Sequence, residues 1–449
     1  MEMQSFIKAA AHVVPDSAQL ALMRETPFYA FVHFSPNTYT GLEWGDGTES
    51  PSIFNPTELD CDQWARAIKS AGMTAMVLTA KHHDGFCLWQ SKHTEHCMKN
   101  SPYKNGRGDI VSEAAEACAR HGLKFGFYLS PWDRNSKYYG SEAYNDYYKA
   151  QLTELLTGYG DIFYVWFDGA CGEGPNGKKQ EYDFAGYLEL IKKYQPKAAT
   201  FGVGSLRWCG NEAGRTGYAQ WSVVPSELCP YTPIQTEAGP LSGGLEGIAE
   251  DDINLGQISN IIYSRGLVFA PAETDMSIRR GWFYHPEEEP HSLERLFDTY
   301  LRTVGGNTTM NLNIPPMPNG RLDERDVERL AQLGELIQSS FSVNLSEGIE
   351  LKTAYFGSTA HKSEVSLQLP MPATVSFIDL AEKISEGQRV ECFNLYLIDE
   401  QGRESLHSRQ TTIGSRKIIR LDKPTRLCGV RLEISLARDA AEIEYIRLY

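Results

Sequence analysis

The feature that most constrains the fold is a repeated alternation of short β-type segments with helix-like segments in the first half of the chain. The β-type segments are rich in β-branched and aromatic residues, and they lie at residues 28–34, 74–79, 124–129, 162–167 and 198–203. The stretches between them repeat apolar residues near the helical period, at residues 60–71, 109–121, 142–156 and 183–193. This alternation predicts a parallel sheet, either doubly wound or closed into a (β/α)8 barrel.

The position of the polar residues distinguishes these two folds. No G-x-G-x-x-G sequence follows the first segment, as a dinucleotide-binding sheet would require. Polar and aromatic residues instead follow the segments directly, at His33 and at residues 81–84, 130–133 and 168–169. A (β/α)8 barrel gathers such residues on the face formed by the C-terminal ends of its strands. We therefore predict an α/β chain with a TIM barrel over residues 1–344. The Gly- and Pro-rich residues 226–252 are expected to form a long loop on that face.

The texture of the sequence changes after a charged amphipathic helix predicted at residues 322–340. The segments 373–380, 389–398, 426–436 and 442–449 alternate apolar and polar residues between turn residues. This pattern predicts a second domain over residues 345–449, an antiparallel β-sandwich of the jelly-roll type.

Composition excludes several classes of function. The 449 residues carry 43 Lys and Arg against 58 Asp and Glu, and the net charge of −15 disfavours a nucleic-acid partner. The nine cysteines are scattered without a C-x-x-C pair, so neither a disulfide scaffold nor a zinc module is expected. No apolar run reaches the ~20 residues of a membrane span, and the first residues lack a secretory apolar region. The compartment stays open: cytoplasmic, or periplasmic or secreted if a leader was removed. The oligomeric state also stays open.

Two carboxylates are candidates for catalysis. Asp168 ends the apolar, aromatic run DIFYVWFDGA, a costly place for a charge unless it is used. The alternative is a structural Asp-Gly turn. Glu212 lies in the loop RWCGNEAG near an aromatic residue, a setting that can produce a general acid. The alternative for Glu212 is an ordinary solvated side chain.

Two histidines and a set of aromatic residues suggest the ligand. His82 and His83 could bind sugar hydroxyls, although either could be a buried structural histidine. Adjacent side chains on an extended segment point in opposite directions and no spaced ligand set accompanies them, so no metal site is expected. Aromatic rings pack against the C–H faces of sugars, which favours a carbohydrate ligand, with core packing as the alternative. The aromatic residues near the strand ends are Trp44, Trp89, Trp132, Trp166, Trp208, Trp282 and Tyr128.

Taken in order, these segments resemble glycoside hydrolase family 29, the retaining α-L-fucosidases. The resemblance covers residues 28–315 and is most specific at KHHDGF and WFDG. The matching segments are FVHFS at Phe31, LEWGDG at Leu42, LTAKHHDGFCLW at Leu78, FGFYLSPWD at Phe125, VWFDGA at Val165 and NTTMNLNIPP at Asn307.

The resemblance implies roles for individual residues. It places the nucleophile on Asp168 and the acid/base on Glu212, with Glu273 as the alternative acid/base. It implies fucose-binding roles for the following residues: His33, Glu43, Trp44, His82, His83, Tyr128, Trp166 and Trp282. It implies no metal or cofactor, and a fucosylated oligosaccharide or glycoconjugate as partner. It also implies a discoidin-like form for the C-terminal sandwich, which would support the barrel or bind carbohydrate.

The RWCGNEAG loop resembles the subfamily that acts on branched α-1,3/1,4 linkages. We therefore expect a retaining exo-α-L-fucosidase that uses two carboxylates and acts on Lewis-type glycans. Three alternatives remain: an α-1,2 or broad-specificity fucosidase, an inactive carbohydrate-binding protein, and a metal-dependent hydrolase that uses His82 and His83.

Overall fold

The computed structural model describes residues 2–217, 219–241, 255–356 and 362–449. The helices are α1 (Met3–Ala10), α2 (Ser17–Glu25), α3 (Asn37–Thr40), α4 (Cys61–Ser70), α5 (Ile110–His121), α6 (Glu142–Gly158), α7 (Phe184–Tyr194), α8 (Ile258–Ile261), α9 (Leu293–Thr303) and α10 (Glu324–Phe341). The strands are β1 (Phe28–Val32), β2 (Ala75–Lys81), β3 (Lys124–Leu129), β4 (Ile162–Trp166), β5 (Ala199–Phe201), β6 (Arg207–Trp208), β7 (Val223–Pro225), β8 (Leu267–Phe269), β9 (Ala272–Ser277), β10 (Thr308–Asn313), β11 (Lys352–Phe356), β12 (Lys362–Glu382), β13 (Val390–Ile398), β14 (Glu404–Gln410), β15 (Lys417–Ala437) and β16 (Ile443–Leu448). None of these helices is long and apolar enough to cross a membrane.

Eight parallel strands form a nearly closed barrel, in the order β5-β4-β3-β2-β1-β10-β9-β6. A bridge between Phe201 and Leu206 brings the two edge strands together. The predicted barrel is therefore confirmed, with one departure in its outer layer. Only residues 202–206 connect β5 to β6, too few for a helix between these strands. The last three barrel strands lie at positions that periodicity alone does not reveal.

Aspartate side chains cap four of the helices predicted from the sequence. Asp60, Asp109, Asp183 and Asp323 precede α4, α5, α7 and α10, and each accepts a backbone N–H from the first turn. This capping satisfies a donor that the helix itself cannot pair. It explains why these helices begin within two residues of the predicted positions.

The alternation of side chains along β1 divides the barrel domain into two apolar layers. Phe28, Ala30 and Val32 pack outward against the helices. Tyr29 and Phe31 point into the barrel, where they meet an aromatic cluster. These large rings fill the barrel interior, so the C-terminal face lies on a closely packed core.

The C-terminal strands form a separate antiparallel sheet with its own core. Its strand order is β11-β12-β15-β13-β14, and β16 pairs with β12. The core is built from inward-facing aliphatic residues of β12, β13 and β15. The predicted C-terminal β-sandwich is confirmed. We propose that the two domains meet at residues 344 and 345, between α10 and β11.

Asn307 joins the barrel to the C-terminal sandwich. Its backbone has a φ of 61°, an unusual value for a residue other than glycine. Its Nδ2 donates to the carbonyl oxygen of Gln220 at 2.8 Å and to Ser222 Oγ at 3.1 Å. Its Oδ1 accepts from Ser415 N at 2.7 Å and from Ser415 Oγ at 2.9 Å. One side chain thus connects the start of β10, the loop after β6 and the sandwich.

Candidate active site

The C-terminal ends of the barrel strands bring the predicted site residues to one face. They are His33 after β1, His82 and His83 after β2, Tyr128 in β3, Trp166 and Asp168 at the end of β4, Glu212 after β6 and Trp282 after β9. In parallel strands these ends lie at the same edge, so residues far apart in sequence become neighbours.

Asp168 lies at the centre of this face with its carboxylate partly open. Its Oδ2 accepts a hydrogen bond from the Tyr128 hydroxyl at 3.1 Å and lies 3.6 Å from His83 Nε2. Its Oδ1 accepts from the backbone N–H of Ala170 at 2.7 Å. The side chain is 24% exposed. Asp168 therefore forms the turn expected of an Asp-Gly pair and also presents a fixed carboxylate to the face.

The rings of His82 and His83 lie side by side, with centroids 4.3 Å apart. The expectation that they point in opposite directions was wrong, because the chain leaves β2 at Lys81 and turns immediately. The turn uses Gly85 at a φ of 80°, which glycine adopts without strain. Asp84 stabilises it by accepting the backbone N–H of Phe86 at 2.7 Å. Both rings consequently belong to the site.

Burial keeps the three histidines of the site neutral. Desolvation lowers the pKa of His33 to about 3 and lowers the pKa of His82 well below its usual value. Desolvation also lowers the pKa of His83, although the nearby Asp168 carboxylate opposes this shift. At neutral pH each ring has one N–H donor and one bare nitrogen acceptor.

Hydrogen-bond partners assign the donor and acceptor of each ring. His33 Nδ1 lies 2.8 Å from the side-chain amide oxygen Oδ1 of Asn313 and so donates, which leaves its Nε2 bare. His83 Nδ1 lies 2.8 Å from Ser130 Oγ, whose proton is donated to the Trp132 carbonyl oxygen, so its Nε2 is also bare. His82 Nδ1 instead faces the Asn37 amide nitrogen at 3.4 Å, so His82 carries its proton on Nε2. This set offers two acceptors and one donor to the hydroxyls of a sugar.

Asp84, directly after the histidines, is expected to carry a proton in the folded protein at mildly acidic pH. Burial raises its pKa to about 7, and the neighbouring Glu49 and Asp133 add to the shift. Its unfolded pKa is near 3.9, so the folded state binds the extra proton and loses stability as pH rises from about 4 to 7. As the pH rises from 5 to 8, the free energy of unfolding of wild type should fall by about 2 kcal/mol relative to that of Asp84→Asn.

Denaturant unfolding of both proteins at pH 5 and 8 measures this difference. Asp46→Asn is the matched control, since Asp46 is exposed, its pKa is lowered by Thr48, and it stays ionised across this range. A difference between wild type and Asp84→Asn that does not change with pH would show that Asp84 is ionised in the fold.

Glu212 approaches the face from the loop after β6. Its Oε2 accepts the indole N–H of Trp282 at 3.1 Å. The side chain is exposed, and it lines the same cavity as Asp168. Glu43 also fixes Trp282, because it accepts the backbone N–H of Trp282 at 2.9 Å. The Glu43 carboxylate pairs with His285 as well, at 3.1 Å. Glu43 is thus already engaged in fixing Trp282 and its loop.

Glu273, the alternative acid/base, lies beneath the site and has no exposed surface. Its carboxylate accepts from the Trp166 indole N–H at 2.7 Å, the Tyr164 hydroxyl at 2.5 Å, and the Tyr29 hydroxyl. Asn311 Nδ2 adds a fourth donor at 3.2 Å. A carboxylate engaged by four protein donors fixes the Trp166 ring and has little freedom to exchange protons with a substrate.

Trp44 lies at the mouth of the site and is 56% exposed. Its ring meets His83 and Trp132 edge to face, with centroids 5.5 and 5.6 Å apart. An exposed indole so close to the histidines is free to cover a bound sugar.

A cavity of about 450 Å³ opens beside Asp168. Its lining includes Trp166, Trp208, Glu212 and Asp275. The described part of the predicted loop at residues 226–252 contributes Leu228, Cys229, Pro230 and Thr232 to the wall, and residues 242–252 lie outside the described residues. A cavity of this size, lined by aromatic rings and by the carboxyl groups of Asp168, Glu212 and Asp275, is typical of a small-ligand site.

Sequence reasoning missed the partners that orient the histidines. Asn37, Ser130 and Asn313 each bind one ring. The signal at Asn313 is the strand TTMNLN, where asparagines interrupt a fully buried segment. Buried amides need partners, so such a strand indicates a polar network inside the barrel.

Within the described residues no three His, Cys, Asp or Glu side chains form a group that could hold a metal ion.

The family model for α-L-fucosidase matches residues 23–232 and 248–340. The chain belongs to the α-L-fucosidase family. It is thus a glycoside hydrolase, and family and fold agree with the motifs KHHDGF and WFDG.

Relatives of this α-L-fucosidase cover nearly its whole length. "Alpha-L-fucosidase 1" of Arabidopsis thaliana is 36% identical over 450 residues, which span 93% of this chain and 84% of that protein. A candidate α-L-fucosidase from Bacteroides ovatus superimposes with a TM-score of 0.90 at 38% identity, covering 100% of this chain and 76% of the other. A glycoside hydrolase 29 family member from a rumen bacterium gives a TM-score of 0.84 at 37% identity, covering 98% and 77%.

Proposed function

We propose that this α-L-fucosidase is a retaining enzyme that removes α-1,3/1,4-linked fucose from branched, Lewis-type glycans. Asp168 is the nucleophile and Glu212 the acid/base. The observation that carries this proposal is that both carboxyl groups line one cavity, while His83 and Tyr128 flank Asp168. Two carboxyl groups on opposite sides of a glycosidic bond are what retaining hydrolysis requires.

The chemistry proceeds in two steps. Asp168 attacks the anomeric carbon of fucose as the bond to the leaving oxygen breaks, and protonated Glu212 donates its proton to that oxygen. Glu212, now a carboxylate, then takes a proton from water, which attacks the anomeric carbon and releases Asp168. The neutral rings of His33, His82 and His83 are available to bind the fucose hydroxyls through both steps.

The acid/base role is assigned to Glu212 on the grounds of access. Glu212 is exposed at the cavity and holds one hydrogen bond, from Trp282. Glu273 is enclosed and holds four donors. A general acid must reach the leaving oxygen and later a water molecule, which favours Glu212.

The linkage preference rests on the RWCGNEAG loop that carries Glu212. The alternatives of an α-1,2 or broad-specificity fucosidase would keep the two-carboxylate chemistry and change the substrate that the cavity accepts. An inactive carbohydrate-binding protein is the alternative of another class.

A panel of matched substrates tests the proposal. Free L-fucose should be released from Lewis a and Lewis x trisaccharides and not from an α-1,2-linked fucosyl-lactose, and Asp168→Asn should abolish the release. NMR during the reaction should show α-L-fucose as the first product, as retention requires. Release from the α-1,2 substrate would overturn the linkage preference and keep the mechanism. Release from no substrate would favour the inactive binding protein.

A further inference from the structure

Asp275 is a carboxyl group of the site that the two-step chemistry does not use. It lies on β9, two residues beyond Glu273, and so projects from the same side of the strand. It is 3% exposed, and it lines the cavity together with Asp168 and Glu212. A carboxyl group buried next to a reaction site needs a specific reason to be there.

The surroundings of Asp275 are acidic. Burial raises the pKa of Asp275 well above its usual value, and the nearby Glu273 and Glu212 carboxylates add to this shift, while the hydrogen bond from Trp208 opposes it. Arg207 lines the same cavity but donates to the Gln220 amide oxygen and the Trp221 carbonyl, both at 3.1 Å. Among the described residues, Asp275 forms no ion pair with a lysine, arginine or histidine. Burial and the acidic neighbours therefore favour the protonated form of Asp275.

The hydrogen-bond partner of Asp275 is Trp208. The indole N–H of Trp208 donates to Asp275 Oδ1 at 2.9 Å. Trp208 is the last residue of β6 and precedes Glu212 by four residues. Its ring packs with the aromatic cluster of the barrel and lines the cavity. The hydrogen bond therefore fixes the orientation of an aromatic wall next to Glu212.

The position of this wall indicates which part of the substrate it meets. The three histidines are not among the residues that line the cavity, whereas Asp168 and Glu212 are. Because the acid protonates the leaving oxygen, the space bordered by Glu212 holds the sugar that leaves. A flat indole face there suits the C–H face of a sugar ring.

We propose that Asp275 is a positioning residue that acts through Trp208, holding its indole as the platform for the sugar on the leaving side of the bond. The inference rests on the proposed function, because it assumes that Glu212 is the acid. The inference predicts that replacing Asp275 lowers kcat/KM mainly for substrates whose leaving group is a sugar, because the fucose-binding side of the site is unchanged.

The test compares two substrates that differ in the leaving group. One is a fucosylated oligosaccharide that wild type hydrolyses, and the other is α-L-fucosyl fluoride, which has no leaving sugar. Asp275→Ala should lower kcat/KM for the oligosaccharide about tenfold and for the fluoride less than threefold. Trp208→Phe, which keeps a ring but lacks the N–H, should show the same selectivity. Asp275→Asn should recover most of the loss, since its amide oxygen can accept the indole N–H.

A double-mutant cycle separates positioning from a general structural effect. Asp275→Ala combined with Trp208→Phe should lose no more than either single variant, because both remove one hydrogen bond. Thr274→Val, on the opposite side of β9 where Thr274 meets Thr308, is the matched control and should leave the ratio between the substrates unchanged. If Asp275→Ala fails to fold, Trp208→Phe and Asp275→Asn still report the ratio.

Three outcomes would overturn the inference alone: equal losses on both substrates, additive losses in the cycle, or a changed ratio in Thr274→Val. A wild-type protein that hydrolyses neither substrate would overturn the proposed function, and this inference with it.

Discussion

Replacing Asp168 by Asn is expected to lower kcat on the order of 10⁴-fold, because it removes the group that forms the covalent intermediate. The amide is nearly isosteric with the carboxylate: its oxygen can still accept the backbone N–H of Ala170, and its nitrogen can donate to the Tyr128 hydroxyl oxygen where the carboxylate accepted. Fucose binding should therefore remain measurable by calorimetry while turnover is lost.

Two further measurements identify the nucleophile. A 2-fluoro-fucosyl fluoride should label wild type on the peptide that contains Asp168, as seen by mass spectrometry, and should not label Asp168→Asn. Azide added to Asp168→Ala should give β-fucosyl azide, because azide then attacks the substrate directly with inversion. Near-normal turnover of Asp168→Asn, or a label on another residue, would remove Asp168 from this role.

The Glu212→Ala variant is expected to lose the most turnover on substrates with a poor leaving group. Oligosaccharides need a proton at the leaving oxygen, so their turnover should fall on the order of 10³-fold, while α-L-fucosyl fluoride should be affected far less. With α-L-fucosyl fluoride, whose leaving group needs no proton, azide should speed the second step of Glu212→Ala and yield α-fucosyl azide, because azide replaces water and the configuration is retained.

The comparison variant is Glu273→Ala, which tests the other carboxylate. We expect it to lose activity on both kinds of substrate and without an azide product, because it removes the acceptor that holds the Trp166 indole N–H at 2.7 Å. If azide instead restores Glu273→Ala and not Glu212→Ala, the acid/base role belongs to Glu273.

The sequence was sufficient to predict the first five barrel strands and the helices around them. These segments combine apolar periodicity with aspartate caps, and both signals are local. The later strands carry weaker signals. Strand β6 has two residues, and β9 and β10 read AETDMS and TTMNLN, whose acidic residues and asparagines face the barrel interior. Only the closed barrel explains why such segments are buried.

The site was predictable in its residues and less so in its orientation. The motifs locate His33, His82, His83 and Asp168 because each follows a strand. They do not show which nitrogen of each ring carries the proton, since that depends on partners from elsewhere in the chain. Asn313, which orients His33, comes 280 residues later. Long-range hydrogen bonds of this kind have no local sequence signature.

The Asn307 linkage affects how this enzyme could be re-engineered. Chimeras that exchange the C-terminal sandwich for a carbohydrate-binding module assume that the barrel folds and functions on its own. Here such an exchange would remove Ser415, and the buried amide oxygen of Asn307 would lose both of its donors. Asn307 directly precedes β10, the strand that carries Asn311 and Asn313. A replacement domain would therefore need a residue that donates to Asn307 as Ser415 does. Without it, we expect a shift of β10 that displaces Asn311 and Asn313 beneath the sugar site.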